Sequence, residues 1–147
     1  MIAFALACNT ELLMMDEPTN GLDIPSKSIF RKIIAESINE QRTIIISTHQ
    51  VRDLEGLIDP IIILENNQIL LNNTLAEISQ KLKFVQSPTP SATALYQEQI
   101  LGGILAVEPN TDGIDTNINI EVLFNAAIKN KESFKQTFIK PNFNQEV

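Results

Sequence analysis

Apolar residues in the first half of the chain follow two rhythms. Leu12-Leu13-Met14-Met15 and Thr43-Ile44-Ile45-Ile46-Ser47 are short continuous runs between polar breakers, the pattern of strands buried on both faces. Between them, Ile29, Phe30, Ile33, Ile34 and Ile38 recur at helical spacing, with Arg31, Lys32, Glu36 and Asn39 outside the stripe. Pro25 suits the first turn of that helix, where its missing N–H costs nothing. Strand, helix and strand over this length predict a βαβ unit: two parallel strands joined by a right-handed crossover.

The pattern continues on either side. Residues 2–8 read as the last turns of a helix, broken at Asn9-Thr10. Val51 to Leu57 predicts a short helix stopped before Pro60. Ile61–Leu64 and Gln68–Leu71 predict a hairpin about Asn66-Asn67, because asparagine tolerates positive φ. Thr74 with Glu77 three residues on forms a capping box for a helix to about Leu82. Ser87-Pro88-Thr89-Pro90-Ser91 marks a loop or linker, and the change of character near Phe84 divides the chain into 1–83 and 84–147. The second part predicts a strand near Ile104–Val107 and a polar loop from Pro109 to Thr116. It also predicts helices over about Ile118–Ile128 and Lys131–Phe138. Tyr96, Phe124, Phe134, Phe138 and Phe143 read as packing residues.

Composition narrows the function. Hydrophobic residues make up 44% of the 147 positions, enough for a core, and the 20% of charged residues is too low for a disordered chain. A net charge of −7 offers no basic face for phosphate backbones, so nucleic acid is not an expected partner. The lone cysteine, Cys8, cannot form an internal disulfide and reads as a small buried hydrophobe. The apolar start lacks the basic segment of a signal peptide. Asp112 and Asp115 around Gly113 lack the downstream glutamate and the ligand count of a calcium loop.

The chemistry gathers where the predicted strands end. Asp16 and Glu17 follow the first apolar run, at the carboxyl end where open α/β sheets place ligands. In a nucleotide-hydrolysing site, the first acid helps hold Mg²⁺ and the second orients or deprotonates the attacking water. Alone, two acids after a strand are commonplace. His49 follows the second strand, where a lone histidine is more often a satisfied polar group. Asp23 can cap the helix beginning near Pro25.

The order and spacing of these residues carry more than the parts. Asp16-Glu17-Pro18-Thr19-Asn20-Gly21-Leu22-Asp23 resembles the Walker B motif and D-loop of ATP-binding-cassette (ABC) ATPases. Ile46-Ser47-Thr48-His49-Gln50 resembles that family's switch-histidine segment, and IDPIIILENNQIL from Ile58 resembles the hairpin that follows it. The likeness covers about residues 2–82. It implies an α/β fold, a partial P-loop NTPase (RecA-like/ABC) parallel sheet, with a small α+β carboxyl-terminal extension. It implies Mg²⁺ at Asp16, a general base at Glu17, contact of His49 with the γ-phosphate, and action of Asp23 across a dimer. ATP and Mg²⁺ are then the cofactors. The implied partners are a second ATPase subunit and a membrane-spanning ABC transporter subunit, at the cytoplasmic inner face of the membrane. Thr48 and Gln50 read as positioning residues, and Asn20 and Gly21 as turn residues.

One half of such a site is missing from the pattern. A P-loop needs a Gly-rich turn followed by Lys and Ser/Thr. The five glycines are Gly21, Gly56, Gly102, Gly103 and Gly113. Only Gly21 has Lys27-Ser28 at the right distance, but Ser26 stands where the second glycine belongs and Pro25 intrudes. No signature segment, glutamine loop or adenine-stacking aromatic precedes residue 2. The expectation is therefore a carboxyl-terminal piece of a longer ATPase, with Met1 an internal methionine and no activity alone. Its sheet would lack the P-loop strand, leaving Thr43–Ser47 as an apolar edge prone to aggregate. The alternatives are a non-catalytic interaction or regulatory module, and a soluble ABC ATPase acting on nucleic acid or ribosomes.

Overall fold

The computed structural model describes residues 2–138, so the expectations for Met1 and Phe143 lie outside the described residues. The chain divides after Ile58 into two compact units, and residues on both sides of position 83 lie in the second.

The first unit holds α1 (Ile2–Ala7), β1 (Leu12–Asp16), α2 (Ile24–Ser37), β2 (Thr43–Ser47) and a 3-10 turn over Val51–Leu54. Strands β1 and β2 pair in parallel, with Leu12 opposite Thr43 and Asp16 opposite Ser47. This is the predicted βαβ unit. Phe30 and Ile34 of α2, with Leu54, form its buried centre, against which Met15, Ile44 and Ile46 of the sheet and Ile2 and Leu6 of α1 pack. Full burial of such side chains stabilises by about 1.5–3 kcal/mol each. Arg42, just before β2, fastens the two strand entries together. It donates to the carbonyls of Thr10 (3.0 Å) and Leu6 (3.2 Å).

Three expectations are corrected here. The strands are covered on one face only: Leu13 is buried, whereas Leu12 and Met14 are 53% and 68% exposed and Ile45 is 44% exposed. Among the described residues the sheet has two strands, and the packed side chains lie on one face of it. Cys8 is exposed because it falls in the turn after α1, whose packing contacts are Ile2 and Leu6. The predicted helix over Val51–Leu57 is a single 3-10 turn ending at Leu54. The Glu55 N–H closes on the Arg52 carbonyl, and Gly56 then takes a positive φ of 74°.

The second unit begins with the antiparallel hairpin β3 (Ile61–Glu65) and β4 (Gln68–Asn73). Asn66 and Asn67 turn it at φ 49° and 59°, as a two-residue hairpin of this hand requires. A register shift between Ile63 and Leu64 lets the adjacent Leu70 and Leu71 both be buried. Helix α3 (Leu75–Lys81) starts on the predicted capping box of Thr74 and Glu77. A three-stranded antiparallel sheet follows, in the order β5 (Leu82–Ser87), β7 (Gly103–Pro109), β6 (Tyr96–Ile100). Helices α4 (Ile120–Lys129) and α5 (Lys131–Phe138) complete it, burying Val122, Leu123, Ala126, Ala127 and Phe134. Of the expected packing aromatics, Tyr96 and Phe134 are buried and Phe138 stacks at 5.1 Å on Phe134, whereas Phe124 is exposed. Asp112 pairs with Lys83 at 2.8 Å. No described helix is long and apolar enough to cross a membrane.

Candidate functional site

The parallel register of β1 and β2 brings two chain segments, 31 residues apart, to one end of the sheet. Asp16 ends β1 opposite Ser47, whose hydroxyl donates to Asp16 Oδ1. Glu17 extends the ladder by one bond, its N–H donating to the Ser47 carbonyl at 2.8 Å. There the backbone turns sharply: Glu17 has φ +45°, a left-handed conformation that side chains with a Cβ seldom take. The turn is closed by the Asn20 N–H donating to the Glu17 carbonyl (3.1 Å).

Both oxygens of the Glu17 carboxylate grip the loop that leaves β2. Oε1 accepts from the His49 N–H (3.0 Å) and lies 2.6 Å from His49 Nδ1. Oε2 accepts from the Thr48 hydroxyl (2.9 Å). The hydrogen bond from the His49 ring is the main cause holding the Glu17 carboxyl below its ordinary value. Partial burial opposes the shift, while Thr48 and the His49 backbone add to it. The Glu17 side chain is 30% exposed and that of His49 is 72% exposed. With Nδ1 committed to Glu17, Nε2 is the ring nitrogen left to meet a ligand.

Asp23 stands apart from this cluster in its bonding. Its Oδ1 accepts from the Ser26 N–H at 2.9 Å, capping α2, and the Ser26 side chain first, with this N–H second, holds its carboxyl below the usual range. The structure thus joins Asp16, Glu17 and His49 through Ser47, Thr48 and the strand ladder, and bonds Asp23 to the first turn of α2.

The donor set suits one of the two implied cofactors. Mg²⁺ is commonly held by one or two carboxylates, with water and substrate phosphates completing its shell. Asp16, exposed at a strand end and oriented by Ser47, offers such a hard oxygen. Among the described residues, no group of three or more His, Cys, Asp or Glu forms an all-protein metal cage. The sequence pattern of a P-loop, a Gly-rich turn running into Lys and Ser/Thr, is met only in part, at Gly21 with Lys27-Ser28.

Two groups of residues escaped the sequence reading. Ser47 was legible only as the end of a strand, although it orients Asp16. Lys27 and Asp53 form an ion pair at 2.7 Å beneath the His49 loop. They are 26 positions apart and leave no local signal.

No protein-family model matches the chain, and no solved structure does. Curated proteins do. The chain is 34% identical over 89 residues to the ABC transporter ATP-binding protein NatA of Bacillus subtilis, covering 57% of this chain and 36% of NatA. It is 35% identical over 86 residues to the energy-coupling factor transporter ATP-binding protein EcfA2 of Mycoplasmoides gallisepticum, covering 58% of this chain and 27% of EcfA2. It is 32% identical over 122 residues to the uncharacterised ABC transporter ATP-binding protein YdbJ of Bacillus subtilis, covering 77% of this chain and 40% of YdbJ. The chain therefore spans well under half the length of these relatives. Its mixed α/β units fit a stretch of a P-loop NTPase-like fold. With the strand-end acids and the histidine loop beside these matches, the chain is similar to ABC transporter ATP-binding proteins over a carboxyl-terminal-type region of them.

Proposed function

We propose that these residues supply the hydrolytic half of the ATPase site of an ABC transporter, and that the phosphate grip comes from residues outside the 147. The observation that carries this reading is the Glu17 carboxylate, held ionised at the end of β1 with both oxygens bonded to the His49 loop. Residues 1–83 form the ATPase-derived part and 84–147 an extension.

Each residue's role follows from its chemistry. Asp16 holds Mg²⁺ through Oδ2 or through water, since Oδ1 is engaged by Ser47. The metal, when bound, offsets charge on the β- and γ-phosphates. Glu17 keeps a free lone pair on Oε2, where Thr48 is the one bonded partner, so it can orient a water and take its proton while still holding the loop. His49 presents Nε2 to the terminal phosphate. Asp23, exposed at the start of α2, acts across the interface with a second ATPase subunit. The assembly docks on a membrane-spanning subunit at the cytoplasmic face.

The test is release of phosphate from Mg²⁺-ATP by a longer polypeptide that joins these residues to a P-loop. Glu17→Gln should cut turnover by about 100-fold or more. Undiminished turnover in that variant overturns the reading. The 147 residues alone should hydrolyse at background rate.

A second reading, a non-catalytic interaction module, is favoured by the lack of a P-loop sequence among the 147 residues. Calorimetric titration with Mg²⁺-ATP separates the two. Binding by the P-loop-bearing polypeptide, weakened by Asp16→Asn, supports the enzyme.

A further inference from the structure

The geometry points to Lys27 as the positioning residue that fixes the His49 loop to helix α2. Its functional meaning rests on the proposed role of Glu17 and His49.

The argument begins at the helix start. Asp23 caps α2, and the Lys27 N–H donates to the Asp23 carbonyl at 2.9 Å, so the Lys27 backbone belongs to the first capped turn. From there the side chain reaches the other segment twice. Nζ donates to Gln50 Oε1 at 2.9 Å and pairs with Asp53 Oδ2 at 2.7 Å. Both charged side chains are largely covered, at 24% and 18% exposure. A pair so enclosed is costly to break from one side, because the remaining charge is left uncompensated.

Gln50 passes this restraint to the site. Its own N–H donates to Thr48 Oγ1 at 2.9 Å, and Thr48 Oγ1 donates to Glu17 Oε2 at 2.9 Å. Its carbonyl accepts from the Asp53 N–H at 3.0 Å. Gln50 is therefore tied at its side chain, its N–H and its carbonyl, and His49 lies between it and Thr48. Without Lys27 the loop retains its bonds to Glu17, but the Gln50 side chain loses its attachment to α2. The surroundings reinforce the pair. Arg31, one turn on, donates to the carbonyls of Asp53 and Glu55, both at 2.7 Å. Lys27 is the main cause holding the Asp53 carboxyl below its usual range. The fully buried Thr19 hydroxyl also acts on that carboxylate, although it makes no hydrogen bond of regular geometry. Thr19, Lys27 and Asp53 thus join the turn after Glu17, helix α2 and the segment after His49.

The test needs no nucleotide, so its failure is separable from failure of the ATPase reading. Amide hydrogen exchange is measured residue by residue on the full 147-residue chain. Lys27→Met keeps the aliphatic stem and a good helix former while removing the charge. The His49 amide should exchange about tenfold faster or more, with the α2 amides of Phe30 and Ile34 within about twofold of the parent. Gln50→Leu leaves the Lys27–Asp53 pair intact and should reproduce the His49 effect. Lys27→Arg should restore much of the protection. An unchanged His49 rate in both Lys27→Met and Gln50→Leu overturns the assignment. So does a uniform rise across α2 in Lys27→Met with no effect of Gln50→Leu, since that pattern belongs to a residue that merely stabilises the fold.

Discussion

His49 Nδ1 lies 2.6 Å from Glu17 Oε1, and the backbone N–H of the same histidine bonds the same oxygen at 3.0 Å. One carboxylate oxygen therefore fixes both the ring and the chain of a residue 32 positions away. Glu17 has two tasks, one chemical and one mechanical, and a substitution there removes both.

The two tasks can be separated. Glu17→Gln keeps a carbonyl acceptor for the His49 loop and removes the base. In a polypeptide that includes a P-loop, it should still bind Mg²⁺-ATP while phosphate release falls about 100-fold or more. Glu17→Ala should weaken binding as well, because the loop loses every acceptor it has on that side chain. Equilibrium binding measured beside single-turnover hydrolysis distinguishes these outcomes.

Asp23 also allows a separation. Asp23→Ala removes the α2 cap and should cost about 1 kcal/mol in urea unfolding. Asp23→Asn retains a capping oxygen and should cost only a few tenths. If Asp23 acts across a subunit interface, both variants should impair cooperative turnover alike in the P-loop-bearing polypeptide, despite their different stabilities.

Acid should loosen this unit. Asp53 and Asp23 are both held below their ordinary carboxyl values, by Lys27 and by the Ser26 hydrogen bond respectively. A carboxyl whose folded value is depressed stabilises the fold above its unfolded value and loses that contribution as pH falls through the folded one. The urea midpoint should be flat from about pH 7 to pH 5 and should fall below about pH 4. Asp53→Asn should lower the neutral plateau and flatten the acid limb. A midpoint that rises on acidification contradicts the pairing.

The open face of the β1–β2 sheet makes its own prediction. Met14 and Ile45 are opposite each other in register and both exposed. Replacing them together by Lys and Glu should change unfolding free energy by less than about 0.5 kcal/mol. Light scattering of concentrated solutions should fall, because an apolar face is removed from contact between molecules. A large loss of stability would mean that the face is covered in solution.

Most local signals in the sequence hold, the Val51–Leu57 helix excepted, and other misreadings arise where partners lie far off. Asn66-Asn67, the Thr74 capping box and the Phe30/Ile34 stripe each declare themselves within a few residues, and each forms as expected. Strand β6, for which the pattern predicts no element, is illegible because Tyr-Gln-Glu-Gln-Ile is mostly polar and gains its place by pairing with β7. Strand β5 was missed where Phe84 was taken for a boundary, and it too is defined by β7. The apolar runs of β1 and β2 announced strands, but a run cannot say what covers each face, and here one face stays open. At the site, chain order showed which residues end the strands. Ser47 on Asp16 and Lys27 on Gln50 and Asp53 are products of folding, with no pattern in sequence to announce them.

The pairing of β1 with β2 also acts as the site's alignment gauge. Asp16 faces Ser47 because five successive residues of each strand match one to one. A residue added in the loop over 38–42 would be absorbed before the strand begins. A residue added between Ile44 and Ile45 would instead put Ile46 opposite Asp16 and send Ser47 to the other face. The carboxylate would then meet a methyl group where it now meets a hydroxyl, and His49 would arrive one step out of phase with Glu17. The strands could still pair, but the acids and the histidine loop would no longer meet.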